Sequence, residues 1–496
     1  MSFYRNLTLT SAFALFAGPA FADLTAEQVL ADQLRQIEYA GLSAVALGQS
    51  KSGGTLSVSG LEFGVDSDDV EILVTLGGAE FTEQSDGSVS INYGEEVPIN
   101  FSFQVPGEEL ISGSGVLQLT GMSNVASGSP EQIRYDFSAD AVRFADLALT
   151  SPTEASEIDF NIALEAAGLL GFMELGDGDV REYSASYTLD QMSAAFRFVA
   201  PGEGGADISF ALADLATEYA GAVAKANLDD SLAVSFQNGN RMDASISHGE
   251  TLFAVAIDAP EGQFQVNGSA GSGDAVMKMG VEGLSYSATN QNIAVSASST
   301  MMPLPPLNLT MAETSGRFVI PVVPGEEPQN FAMAFGLGDL ALDDMIWGMI
   351  DPAGQLPRDP INIALDVDGE LVMLQDVFDP EVMENMTAPP GQINSANLNG
   401  LRISIAGAEL TGDGAFTFNN QFGIPMPVGV ANFMLTGGNT LLDTLVGMGL
   451  VPEEQAMGAR MMMGLFAQPG EGDDTLISTI EMKEDGSILA NGQRIK

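Results

Sequence analysis

Any chemistry in this chain has to begin from His248, its single histidine, held in Ser247-His248-Gly249-Glu250, and from a few lysines, because cysteine is absent. As a general base His248 needs a nucleophile and an orienting acid from elsewhere, and no Gly-x-Ser-x-Gly elbow supplies the first. A serine–lysine pair would draw on Lys51, Lys225, Lys278 or Lys483, yet none of them lies three residues after a serine. Thiolate nucleophiles, Cys/His zinc sites, cysteine-held iron–sulfur clusters and two-His metal centres all lack their residue types. Carboxylate pairs for glycoside hydrolysis abound among 67 acidic residues, but only their separation in space tests them, and one Trp with eight Tyr offers few platforms for sugars. The chain is read as non-enzymatic, with His248 in a hairpin turn.

Calcium is the one ion that the composition invites. Asp366-Val367-Asp368-Gly369-Glu370 begins like a calcium loop, but Val367 continues an apolar alternation and no bidentate Glu follows at the required distance. It reads as a strand ending in an Asp-Gly turn. Asp66-Ser67-Asp68-Asp69, Asp177-Gly178-Asp179 and Asp473-Asp474 read as acidic turns, so neither a metal nor a cofactor is expected.

Methionine is the more informative surplus, at 24 residues. Many cluster at helical spacing in the final third, where flexible thioethers fill a core or coat an apolar surface. Met345, Trp347, Met349, Met457, Met461 and Phe466 are the candidate residues for lining a hydrophobic ligand site.

These residues must be carried by a β scaffold. Val97, Ile99, Phe101, Phe103 and Val105 alternate with a period of two, which places them on one face of a strand. Val89, Ile91 and Tyr93 read as their hairpin partner across Gly94-Glu95-Glu96. Ile133, Tyr135 and Phe137 read as pairing with Val142 and Phe144 across Asp140-Ala141. Phe196 and Phe198, and then Ile208, Phe210 and Leu212, flank a Pro201-Gly202-Glu203 turn. The 56 glycines suit turns and bulges better than helices. The fold class is therefore mainly β, in large antiparallel meander sheets of extended or stacked units; at ordinary strand spacing this gives roughly three dozen strands. One echo links distant segments: Arg197-Phe198-Val199 leads to Ala213-Asp214-Leu215 much as Arg317-Phe318-Val319 leads to Gly338-Asp339-Leu340.

Helices are few. Thr25 and Gln28 form a capping box ahead of Leu30, Leu34 and Ile37. Further helices are predicted around Trp347, stopped by Pro352, after Asp379-Pro380, at Leu441–Val446, and from Pro452 to Phe466. A closing hairpin turns at Asp485-Gly486. The organisation is read as a leader over 1–22, a β-rich region over 23–300, and a second β-rich region with Met-rich helices over 301–496, divided at the Pro-rich Met302–Pro306 stretch.

The leader has Arg5 as its positive end, an apolar run from Leu7 to Phe16, and Ala20-Phe21-Ala22 as a small-x-small cleavage site, with cleavage placed after Ala22. The apolar run stops at Gly18-Pro19, short of the roughly 20 residues of a spanning helix, and no later stretch is long enough. No transmembrane segment is expected once the leader is removed, and the product is assigned to the periplasm or the medium. An outer-membrane barrel is disfavoured because interfacial Trp and Tyr are scarce. Loss of the leader leaves 16 basic against 67 acidic residues, a net charge of −51. Such a field repels nucleic acid and anionic lipid heads. It suits a saline habitat or cation binding. Without disulfides, a hydrophobic core has to hold the fold.

Asn397-Leu398-Asn399-Gly400-Leu401, Ala408 to Gly414, Gly449-Leu450-Val451-Pro452, Gln455-Ala456-Met457, Asp485-Gly486-Ser487-Ile488 and Asn491-Gly492-Gln493 together resemble an uncharacterised family of exported alphaproteobacterial proteins, a domain of unknown function. More loosely, the long meanders and final hairpin are similar to AsmA-like envelope proteins, and that resemblance implies a role in lipid traffic or outer-membrane upkeep. The function expected is envelope maintenance without catalysis, through binding a lipid or an envelope protein on an extended β scaffold. The alternative is a secreted structural or adhesive β protein.

Overall fold

The computed structural model describes residues 23–66, 70–105, 107, 110–150, 159–200, 202, 204–225, 230–301, 304–387, 389–420 and 425–496. The leader and its cleavage point at Ala22 lie outside the described residues, as do Ser67, Asp68, Asp69, Pro201, Glu203, Met302 and Pro303 of the turns named above. The chain is mainly β: among the described residues, a single antiparallel sheet of 27 strands is accompanied by six helices. Most strands pair with their neighbour in sequence, so the sheet grows as a meander. The longest two, Val180–Ala200 and Gly204–Ala224, have 21 residues each. They pair from Val180/Ala224 to Ala200/Gly204 around the turn expected at Pro201, with Phe196 opposite Ile208. Strands are fewer than three dozen because many far exceed the usual five or six residues. On either side of the Pro-rich stretch, Gly283–Ser299 and Leu307–Ile320 are themselves paired, from Leu284/Ile320 to Ala297/Leu307.

Three reversals expected from turn-type residues are not reversals. Asp140-Ala141 lies inside one continuous strand, Gln132–Thr150. Val89–Asn92 and Glu96–Gln104 lie end to end along the same neighbour, Glu71–Glu83, so Gly94 carries the chain onward. Arg241–His248 and Thr251–Ala259 likewise both line Gly204–Ala224, which makes His248 a strand end and not a hairpin turn. Asp366–Glu370 also sits within a strand, Ile361–Met373, that continues past the Asp-Gly pair.

Two of these points, Asp140-Ala141 and His248-Gly249, share a cause. A line of irregular backbone crosses the sheet, and along it an Asp or Asn of one strand lies over a glycine of the next. A Cβ on Gly121 would meet Asp140 Oδ2 at 2.3 Å, one on Gly168 would meet Asp190 Oδ2 at 2.2 Å, and one on Gly249 would meet Asp214 Oδ2 at 2.9 Å. Gly168 (φ 66°), Asp214 (φ 51°) and Asn292 (φ 55°) take left-handed backbone there, which Gly, Asp and Asn tolerate best. The inward pattern slips by one residue at the crossing: Val58 and Leu61, three apart, are buried in the same core. The echo noted in the sequence belongs to the same device. Asp214 and Asp339 share φ 51°, and each is the eleventh residue of its strand. Asp146, at φ 56° within Ala145-Asp146-Leu147, is a further left-handed Asp-Leu copy that alternation alone does not reveal.

Helix α1 (Ala26–Tyr39) has the predicted capping box and presses Val29 and Leu30 onto Phe81, Val89, Ile91 and Tyr135. One polar network is sealed beneath it. The Arg181 and Asp32 side chains, 2% and 5% exposed, form an ion pair. Arg181 Nε donates to the Gly176 carbonyl at 2.8 Å. Asp32 Oδ2 accepts from Tyr135 Oη at 2.7 Å and from Gln36 Nε2 at 3.0 Å. Burial, and then the Asp32 charge, push the Tyr135 hydroxyl far above its ordinary pKa. Helix α2 (Leu232–Gln237), capped by Ser231, packs Ala233 and Phe236 against Val322. Helices α3 (Asp344–Ile350), α4 (Pro380–Glu384), α5 (Gly438–Gly447) and α6 (Glu453–Phe466) fall where helical spacing placed them.

Candidate functional site

In an antiparallel sheet, directly opposed residues project from the same face. The register therefore sorts the two faces strand by strand. Phe196, Ile208, Val255, Val266, Ala297 and Leu307 are opposed in succession across six strands. The row one position over reads Arg197, Asp207, Ala256, Gln265 and Ser298. One face is thus apolar and the other small and polar. A parallel row on the apolar face runs Leu164, Ala194, Phe210, Phe253, Gly268, Val295, Leu309 and Leu342. At about 4.8 Å per strand it extends roughly 33 Å.

The middle of this face is open. Phe196, Phe198, Ile208, Phe253 and Ile257 are 38–44% exposed although they belong to regular strands. Isolated exposed apolar residues are common on any protein, whereas a contiguous field of them marks a binding surface. The rings also lie down on the sheet. A Cβ on Gly268 would fall 2.1 Å from the Phe253 ring, one on Gly113 2.3 Å from Phe101, one on Gly412 2.5 Å from Phe433, and one on Gly115 2.6 Å from Phe144. A flat ring over a cross-strand glycine covers exposed backbone and smooths the face.

Helices cover only parts of this face. Helix α1 covers the Phe81–Tyr135 region, and α6 covers a cavity of about 410 Å³ floored by Leu410, Phe433, Leu435 and Leu476. The six ligand-lining candidates divide accordingly. Phe466 lines the cavity, together with Met462 and Met463, which belong to the methionine cluster of the final third but not to the six candidates. Met457 and Met461 project from α6 into solvent, 68% and 72% exposed. Trp347 is buried with Leu356 and Ala406 against Leu441 and Leu445, while Met345 is half-buried and Met349 exposed on the same helix. The signal for Met462 and Met463 was present in the run Met461-Met462-Met463, where helical phase alone does not settle which residue turns inward.

His248 lies at the end of its strand, beside Gly249 and Thr251. Its Nδ1 lies 2.9 Å from the Gly249 carbonyl and 3.1 Å from Thr251 Oγ1. Among the described residues no three His, Asp or Glu side chains come together in a way that could hold a metal ion. Asp368, within the segment that begins like a calcium loop, accepts from Asn397 Nδ2 at 2.8 Å and Asn399 Nδ2 at 2.7 Å. Those amides hold its carboxyl below the usual carboxylate range. Among the described residues no helix is long and apolar enough to cross a membrane.

Residues 249–484 match the family model described as an uncharacterized protein conserved in bacteria (DUF2125). The match begins just after His248 and takes in α3 to α6, the cavity and the second half of the sheet. No curated protein and no solved structure matches the chain.

Proposed function

We propose that this is a non-enzymatic protein of the bacterial envelope that binds the hydrocarbon part of lipids on its open apolar sheet face. The observation that carries the reading is the uncovered row Phe196–Ile208–Val255–Val266, with exposed rings, backed by the polar row Arg197–Asp207–Ala256–Gln265. Acyl chains need no polar partner, so a long face without hydrogen-bonding side chains suits them. A peptide laid there would instead leave backbone N–H and C=O groups unpaired. The leader-like residues 1–22 support a place in the periplasm or the medium, where lipids in transit need shelter from water. The meander architecture fits the looser resemblance to AsmA-like envelope proteins. The net charge of −50 favours neutral or zwitterionic lipids over anionic ones.

The test is organic extraction of the protein purified from its native source, followed by mass spectrometry. Co-purifying lipid at near-stoichiometric amounts is expected; repeated recovery of lipid-free protein would refute the reading and turn attention to a structural or adhesive role.

A further inference from the structure

We propose that the cavity beneath α6 holds the end of a single unbranched alkyl chain, a site that deepens the lipid-binding reading and rests on it. The floor is made by Leu410, Leu435 and Leu476, directly opposed across three adjacent strands. Phe433 and Ser478 form the next opposed pair. Met462, Met463 and Phe466 of α6 overhang the floor, leaving the cavity open to solvent at Met462, 53% exposed. Among the described residues Ser478 is the only polar side chain in the lining, and its hydroxyl is already committed, donating to the Phe466 carbonyl at 2.6 Å.

That inventory selects the occupant. A peptide or a lipid headgroup would bring donors and acceptors that find no partner here, at a cost for each buried group. A saturated chain brings none, and flexible methionines adapt to its path. At about 410 Å³ the space lies within the range of small-ligand sites.

The floor of the cavity is also continued onto the next strand by exposed apolar residues. Leu410 is directly opposed by Ile403, which is exposed, as is Ile405 two residues further on. A chain lying on the sheet therefore enters between the strands and α6 without crossing a polar barrier. The helix is held at its middle and at its C-terminal end. Arg460 pairs with Asp443 of α5, and the Phe466 carbonyl accepts from Asn491 Nδ2 at 3.0 Å as well as from Ser478.

Photo-crosslinking of the full chain with palmitoyl lysophosphatidylcholine bearing a diazirine near its methyl end tests the site. Label is expected on peptides containing Met462 to Phe466 and Leu476 to Ile480. Leu435→Trp, which fills the floor, and Met463→Glu, which puts a charge in the roof, should each cut that label roughly tenfold, about what excluding two methylene groups costs. Label on peptides containing Phe196 and Phe253 should be unchanged in both variants. Met461→Glu, on the outer side of α6, should leave both sets of label intact. Label on the open face but none under α6, or label under α6 indifferent to both inner substitutions, overturns the site while leaving the proposed function standing. Label on neither region overturns both.

Discussion

Replacing Arg181 by Met removes one partner of the ion pair sealed beneath α1 and leaves the other in place. Met keeps most of the aliphatic stem, so the loss is electrostatic more than steric. Asp32 would then remain almost fully enclosed, holding only the bonds from Tyr135 Oη and Gln36 Nε2. Breaking a buried pair from one side typically costs about 3–5 kcal/mol, because the surviving charge is desolvated without compensation. The bond from Arg181 Nε to the Gly176 carbonyl is lost as well. In a sheet that grows by neighbour-to-neighbour pairing, this loss should appear as local opening of α1 and not as collapse of the whole molecule. At 1.4 kcal/mol per factor of ten, amides of α1 should exchange roughly 10² to 10³ times faster by hydrogen-exchange mass spectrometry. Peptides from Leu307–Leu342 should be unaffected. The double variant Asp32→Leu/Arg181→Met removes both charges, and exchange should return to within about tenfold of wild type, since a buried pair replaced by apolar residues is often neutral or better. The reasoning fails if the single variant changes α1 exchange less than fivefold, or if the double variant is as damaged as the single one.

Other expectations follow from the same geometry. Asp351 is fully buried and accepts from the Leu356 N–H at 2.7 Å. Bonds from the Leu356 and Gln355 N–H groups hold its carboxyl below the ordinary value of 3.8. Its stabilising contribution is therefore complete above pH about 4 and is lost as pH falls through the depressed folded value. The carbonyl of Trp347, the sole tryptophan, accepts from the Asp351 N–H at 2.7 Å, so an acid titration of its fluorescence should show the change, and Asp351→Asn should abolish that acid step while weakening the neutral protein. Gly168→Ala forces a Cβ onto left-handed backbone and to within 2.2 Å of Asp190 Oδ2, and should lower stability by at least about 1–2 kcal/mol in urea titrations. Gly316→Ala meets nothing within 4 Å and should be nearly silent; equal costs at the two glycines would argue against the crossing line as a built feature. Phe196→Glu with Phe253→Glu places two carboxylates on the open face and should strip most co-purifying lipid without changing the circular dichroism spectrum; retained lipid would move the binding surface elsewhere.

Much of this fold is legible in the residues. Period-two alternation identifies the strands, the two strands expected on either side of residues 201–203 are paired, with Phe196 opposite Ile208, and the Thr25–Gln28 box starts α1 where it is found. The failures occur at Gly94, Asp140 and Gly249, and they have one physical origin. A residue that accepts left-handed or twisted backbone serves equally well to reverse a chain and to kink a strand that continues. Only the partner strand decides, and the partners of Val89–Asn92 and Arg241–His248 lie elsewhere in the sequence. Helix α2 has six residues, too few for a 3.6 period to stand out. Arg181 looks like one more exposed charge in an alternating strand, because its partner Asp32 is 149 positions away. At the candidate site the apolar face was implicit in the alternation, but its continuity depends on register, which a single sequence does not display.

The crossing line and the apolar face belong to one construction. Long sheets need deliberate irregularities to twist and bend, and bulge-like residues with glycines are the usual means. Here those irregularities recur from strand to strand, at Gly121/Asp140, Gly168/Asp190 and Asp214/Gly249. That line runs across the strands, parallel to the rows that contain Phe196 and Phe253. Apolar side chains are thereby arranged in long files along the bend, each step a strand spacing of about 4.8 Å. A compact ligand would use little of such a surface, whereas an extended chain lying along a file touches a fresh side chain at every strand. The cavity beneath α6 extends the same kind of file, through Ile403, Leu410, Leu435 and Leu476, under a roof. Length, direction and lack of polar partners all favour an acyl chain over a globular or peptide ligand.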